Sequence, residues 1–325
     1  MSRLAARFTM VLLLVLTGME TRTAQAEAFP AQPVKIIIQA AIGNGPDIAA
    51  RIFADRFSEL WGQQVLVVNR PGAGGMMAAQ AAASARPDGY TLYVPGASTF
   101  LVLPVTHPKL PFDLTRDFRT IGLLYEAPII IAVAPSLGVT SLPELLDHVR
   151  QRASGMFFAA SSPGTLPHLT GELFRRRAAL ALTYVPYPGT TQALQDIMGG
   201  RVAIIVDGLG ALSEAIRIGA VRPLAITSPT RLPHLPDLPT VSETLPEFIT
   251  QGWFPVLAPA GTPEPVVRKL SADLQRILAQ PGLRDRLALL GATLRPMDPP
   301  QVAEFIEAER ARWKPLVDEV AADLR

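Results

Sequence analysis

The residues able to do chemistry in this chain are few, and their spacing argues against catalysis. Four histidines stand alone at His107, His148, His168 and His234, and there is no cysteine. No H-E-x-x-H zinc pair occurs, and the nearest approach to a G-x-S-x-G nucleophile elbow is "AASSPG" at 159–164. A hydrolase reading would have to combine Asp47, His168 and Asp207, yet none of these sits in a nucleophile-and-base pattern. His168 opens a helical segment, where it either faces a pocket or serves the fold. Asp207 ends a strand, a position that often faces a ligand crevice. Asp88, in "PDGY", suits a turn.

What the sequence does offer is bare backbone. "IGNGPD" (42–47) and "NRPGAGG" (69–75) each follow an apolar run and precede a helical one. Glycine-rich strand-to-helix loops can present free N–H groups and a positive helix end to an anion. Neither loop carries a nucleotide fingerprint: "GNGPDIAA" lacks the final glycine of a dinucleotide loop, and "GAGGMM" lacks the Lys-Ser/Thr of a P-loop. Two readings stay open for each loop, an anion seat or a tight turn that needs positive φ.

The elements that must hold these loops alternate short apolar runs with amphipathic ones, as in a parallel α/β sheet. "VKIII", "QQVLVV" and "TLYV" read as strands separated by the helices "DIAARIFADRFSELWG" and "GGMMAAQAAASA". A second α/β unit follows from "IIIAVAP" through "SLPELLDHVRQ", "GMFFAASS", "LTGELFRRRA", "LTYVPY", "QALQDIMGG" and "VAIIVD". The proline-dense stretch from Ser228 to Thr240 cannot be a regular element. "GWFPVLAP" reads as a returning strand, and helices close the chain.

Half of the 325 residues, 49%, are hydrophobic, ample for a large core. "MSRLAARFTMVLLLVLTGMETRTAQA" has the charged start, short apolar run and small-x-small end of a secretory leader cleaved after Ala26. Its loss takes Arg3, Arg7 and Arg22 from the 30 basic side chains and Glu20 from the 28 acidic ones, leaving 27 of each. That balance excludes the broad basic surface of a nucleic-acid binder.

In order and spacing, "FPAQPVKIIIQAAIGNGPDIAAR", "NRPGAGG", "RPDGYTL", "DLTRDF", "SSPGTLPHLTGELF", "VPYPGTTQALQDIMGGRV", "LAITSPTRLPHLPDLPTVSET" and "GWFPVLAPAGTPEPVVRKL" resemble the Bug family of extracytoplasmic solute receptors. The resemblance covers essentially the whole chain after the leader. It implies a two-domain α/β Venus-flytrap receptor of periplasmic-binding-protein type, each domain a mixed, mainly parallel sheet flanked by helices. The domains would be 29–126 plus 250–325, and 127–249. It further implies a periplasmic monomer without cofactor or metal that binds a small organic acid and delivers it to the membrane permease subunits of a tripartite tricarboxylate transporter. Carried over by position, the ligand loops point to Gly43, Asn44, Asp47, Ala73, Gly74, Ser98, Gly164, Thr165 and Asp207. Where the family has Pro-Gly-Gly in the first loop, this chain has Ile42, Gly43 and Asn44. Asp47 would repel a carboxylate at close range, so a capping or water-orienting role is expected of it. The alternatives are a secreted enzyme acting on small acids and a sensor subunit with the same fold. The returning strand places Trp253 either in the core or at the hinge.

Overall fold

The computed structural model describes residues 29–321; the leader and its cleavage site lie outside the described residues. Strand β1 (Val34–Ile38) is a β-branched run with only Lys35 exposed, the pattern of a strand covered on both faces. Helix α1 (Gly45–Trp61) starts where the Asn44 side chain accepts a bond from Asp47 N, and stops at the left-handed Gly62. Strand β2 (Val65–Asn69), a 3₁₀ turn (Ala73–Gly75), helix α2 (Met76–Ala83) and strand β3 (Thr91–Val94) complete the first βαβαβ unit. Two short helices follow, α3 (Ala97–Leu101) and α4 (Leu103–Thr106).

The next strand, β4 (Phe118–Val133), is longer than the sequence suggests: it begins eleven positions before Ile129, where "IIIAVAP" starts. The second unit runs α5 (Leu142–Arg150), β5 (Met156–Ser161), α6 (Leu166–Arg177), β6 (Leu182–Tyr187), α7 (Thr190–Met198), β7 (Ile204–Gly208), α8 (Leu209–Arg217) and β8 (Arg222–Ile226). As expected, Ser228 to Thr240 forms no helix or strand, its last residue making only an isolated bridge to Ile226. Strand β9 (Gln251–Pro259) then returns, and α9 (Glu264–Leu278), α10 (Leu283–Ala288) and α11 (Pro299–Val320) close the described chain.

The strands order as β2-β1-β3-β9-β4-β7-β5-β6, with β8 also on β4. Strands β1 to β3 are mutually parallel, as are β5 to β7, and β4 and β9 join the two groups by antiparallel pairing. The fold is therefore α/β with a mixed sheet. β4 changes partner midway: Phe118 to Pro128 pair with β9, whereas Ile129 to Val133 lie between β7 and β8. Near that switch Glu126 is buried, held by Arg295 at 3.1 Å and by a backbone bridge to Thr293.

Register decides where the strand ends point. Tyr93 pairs with Leu257, which pairs with Thr120, so β3 runs in the same direction as β4 and ends near its start. Gly208, the end of β7, pairs with Ile129, and Ile204 with Val133, so β7 runs the other way and ends three-quarters of the way along β4. The carboxyl ends of the two parallel triplets thus point toward each other along the stretch of β4 from Thr120 to Ile129. Crevices outside such ends are where open α/β sheets place ligands.

Candidate functional site

Each ligand residue that the resemblance implies lies at or beyond the carboxyl end of a strand in one or other triplet, Asp207 near the end of β7 itself and the others after their strands. The first loop, after β1, satisfies most of its own donors. Gly43 N donates to Asp47 Oδ2 at 2.9 Å, and Asp47 N donates to Asn44 Oδ1 at 3.2 Å. Asp47 is buried and also accepts from Arg51 (2.9 and 3.1 Å) and from Asn69 Nδ2 (2.8 Å), which ties the loop to the end of β2. Burial pushes the Asp47 carboxyl up, but the bonds from Arg51, Gly43 and Asn69 outweigh it and hold it below its ordinary value. Asn44, not Asp47, is the cap; Asp47 is a clamp.

The second loop, after β2, is built the opposite way. Gly72, Ala73, Gly74 and Gly75 all have positive φ, of 124°, 45°, 62° and 100°. Only Gly75 N turns back within the loop, to Gly72 O at 3.0 Å, and among the described residues no protein acceptor meets Ala73 N or Gly74 N. A Cβ on Gly74 would come no nearer than 3.9 Å to another atom, the Cδ1 of Leu103, so the turn is uncrowded on the side a Gly74 side chain would take. Ser98, in α3 after β3, is half-buried, and its hydroxyl likewise has no protein partner among the described residues.

On the other triplet, Gly164 (φ 77°) donates its N–H to His168 Nδ1 at 3.2 Å, and the buried His168 ring stacks on Tyr184 with centroids 4.1 Å apart. That nitrogen is an acceptor for backbone, so His168 holds the loop in place. Thr165 Oγ1 donates to Ser162 O at 2.7 Å and lies 2.9 Å from Ser161 Oγ, which fixes the N-cap of α6. Asp207 accepts from Thr190 Oγ1 at 2.7 Å and from Gly208 N at 2.8 Å. Burial raises its carboxyl above the ordinary value despite those two bonds. A proton on Asp207 would make it a donor in place of a negative charge.

One residue of this region escaped the sequence reading. Gln39, the first residue after β1, receives a short bond from Thr99 Oγ1 and lies between the loops that follow β2 and β3. Its only sequence signal is a polar side chain at the carboxyl end of the triplet's central strand.

Two cavities lie elsewhere. One of about 740 Å³ between α9, α11 and the start of β4 is lined mainly by apolar groups such as Phe100, Leu257 and Val267. Its charges are already matched, Arg119 and Arg268 with Glu264 and Glu307 with Arg310. A second, of about 500 Å³, adjoins it around His107 and Arg116. No sequence-derived site residue lines either. The charges of the first cavity are thus paired among themselves, whereas the unpaired amides of Ala73 and Gly74 lie at the strand ends.

Residues 49–322 match the family described as "Tripartite tricarboxylate transporter family receptor". Protein BugT of Bordetella pertussis is 33% identical over 302 residues, covering 92% of this chain and 93% of BugT. A structure of an R. palustris protein with adipate superposes with a TM-score of 0.83 at 32% identity, covering 90% of this chain and 98% of that one. MatC from Rhodopseudomonas palustris with bound malate gives 0.77 at 33% identity, covering 89% and 100%.

Proposed function

This chain belongs to the tripartite tricarboxylate transporter family receptors, the group that includes the Bug proteins, and from that premise we propose that it captures a small carboxylic acid between two lobes. Its fold is that of the solute-binding receptors it superposes on. The lobes are 29–126 with 250–325, and 127–249, a division two residues before β4 changes partner. The ligand is a small di- or hydroxy-acid of the kind named for the relatives, which hold adipate and malate. The observation that carries the reading is that both triplets' carboxyl ends point toward the stretch of β4 between Thr120 and Ile129, with the amides of Ala73 and Gly74 and the Ser98 hydroxyl, unpaired among the described residues, on one side. Closure is favoured because only the closed form lets both lobes touch the acid.

The protein does no chemistry on its cargo. Asp47 is held by Arg51, Asn69 and Gly43, His168 Nδ1 by Gly164, and Asp207 by Thr190 and Gly208, so these three do not combine into a nucleophile and base. The leader directs it to the periplasm, cleavage follows Ala26, and the monomer passes its acid to the membrane permease subunits. A signalling role for the same occupancy would differ only in the partner.

The test is calorimetry of the purified protein with succinate, malate, adipate and citrate, alongside Gly74→Asp. Gly74 has φ 62° and room for a Cβ, and aspartate tolerates the left-handed region, so the variant folds. Its added charge opposes an anion where the free amides point. Binding of at least one acid by the wild type, reduced 100-fold or more in folded Gly74→Asp, is expected. Equal affinity in the two proteins would mean that the second loop is only a turn.

A further inference from the structure

Beyond the loops themselves, the base of the region between them contains a side chain with an unusual seat. Gln39 follows the central strand of the first triplet, so the loops after β2 and β3 flank it. Its amide oxygen accepts from Thr99 Oγ1, and Thr99 is fully buried, so that hydroxyl is a fixed anchor. The space around the amide is made by two glycines. At Gly75 a Cβ would run into Gln39 Oε1 and come within 2.8 Å of Thr99 Oγ1. At Gly96 a Cβ would lie 3.3 Å from Gln39 Nε2 and 3.5 Å from the Phe254 ring. Gly96 has an ordinary φ of −91°, which any residue can adopt, so backbone conformation does not call for glycine there. Room for the Gln39 amide does.

The outcome is an amide whose oxygen is held and whose nitrogen is not. Among the described residues no protein acceptor meets Gln39 Nε2, and the residue is half-buried, so the two N–H bonds still have an outlet. Among the described residues the hydroxyl of Ser98, next to Thr99 in the chain, and the amides of Ala73 and Gly74, next to Gly75, are unpaired as well. We infer that Gln39 is a specificity-determining residue of the ligand site, presenting its Nε2 hydrogens to an oxygen of the bound acid. This rests on the carboxylate reading above and deepens it: the acid is recognised at this point by a neutral donor locked in orientation by Thr99. A neutral amide donates to a carboxylate, hydroxyl or carbonyl oxygen, so Gln39 sorts acids by where they carry an oxygen acceptor. Gly75 and Gly96 are the residues that let it reach the site.

The experiment uses the purified protein and three variants, each titrated calorimetrically with succinate, malate, adipate and citrate at pH 7, with melting recorded in parallel. Gln39→Met keeps the length and removes the donor; Gln39→Glu keeps the shape and adds a charge; Thr99→Val removes the anchor and leaves the donor. The expected result is a roughly 10- to 100-fold loss of affinity in Gln39→Met for the preferred acid, as for a hydrogen bond to a charged group. The ratio of affinities among the four acids should change with it. Gln39→Glu should lose more than Gln39→Met at pH 7 and recover part of its binding at pH 5, as the introduced carboxyl begins to protonate. Thr99→Val should lose less than Gln39→Met. Wild-type affinities in folded Gln39→Met overturn the inference, and so does a uniform loss that preserves the ranking of the acids, since that would assign Gln39 only to holding the loops. A wild type that binds none of the four acids refutes the carboxylate reading, and this inference falls with it.

Discussion

Replacing Asp47 by alanine tests whether the first loop is a clamp or a ligand seat. The carboxylate is 2% exposed and collects Gly43 N at 2.9 Å, Asn69 Nδ2 at 2.8 Å and two bonds from Arg51. Hydrogen bonds to a charged group contribute about 1.5–3 kcal/mol net, and stripping one partner from a fully buried ion pair costs about 3–5 kcal/mol. The lower range applies here. Arg51 is 47% exposed and Gly43 is exposed, so both regain water when the carboxylate goes, and Asn69 Nδ2 keeps Ala40 O at 3.0 Å. The cost of Asp47→Ala is therefore about 2–3 kcal/mol, which for a chain of this size lowers the melting temperature by about 3–5 °C. The pH dependence has a definite sign. Because the folded-state pKa is depressed, the stabilisation is complete above the unfolded value of about 3.9 and is lost as pH falls through the folded one. Urea unfolding at pH 7 and again below the ordinary carboxylate range should show a wide gap between wild type and variant that narrows in acid. A loss under about 0.5 kcal/mol at pH 7, or a gap that does not narrow, would refute the clamp.

Two further outcomes follow from buried groups. Asp207→Asn preserves shape and removes a carboxyl that burial pushes up; relative to this variant, the wild type should lose stability as pH rises from about 4 through the raised folded value, read by thermal melts at pH 5 and 8, and a constant difference would refute the assignment. Trp253 is 1% exposed, packs between Phe100 and Phe305 at 5.3 and 5.5 Å, and pairs across from Glu126 beside the partner switch in β4; ligand should change tryptophan emission in the wild type, Trp61→Phe and Trp313→Phe but not in Trp253→Phe, and a change that survives in Trp253→Phe would move the crossing elsewhere.

The parallel triplets were legible because β1 and its neighbours are short β-branched runs bounded by glycine and polar residues, the signal of strands covered on both faces. The first half of β4 was not. Gly122, Glu126 and Pro128 interrupt "RTIGLLYEAP" with residues that disfavour strands locally. What makes it a strand is distant: β9 pairs along its length with two register shifts, and Arg295 neutralises Glu126. A window along the chain contains neither partner. Helix α8 and strand β8 were passed over for a related reason, since Ile218 to Val221 separate them by only a tight turn and β8 earns its place by pairing with β4. Gln39 went unseen because its importance depends on two glycines 36 and 57 residues away and on Thr99.

The two glycine-rich loops look alike in sequence and differ in structure for a reason the sequence does contain. In the first, short polar side chains stand one and four residues beyond Gly43: Asn44 takes the Asp47 amide and Asp47 takes the Gly43 amide, so the turn closes on itself. In the second, Ala73 to Met77 offers no side-chain oxygen, and the amides of Ala73 and Gly74 have nothing within the loop to bond. Asn and Asp side chains compete for nearby backbone donors wherever they can reach them. A glycine loop followed closely by such residues is thus a capped turn, and one followed by alanine and methionine keeps its donors for a visitor. By that reasoning, substituting Asn44 should change the stability of α1 more than it changes which acid is bound, because the proposed ligand site is the loop without polar side chains together with Gln39 beneath it.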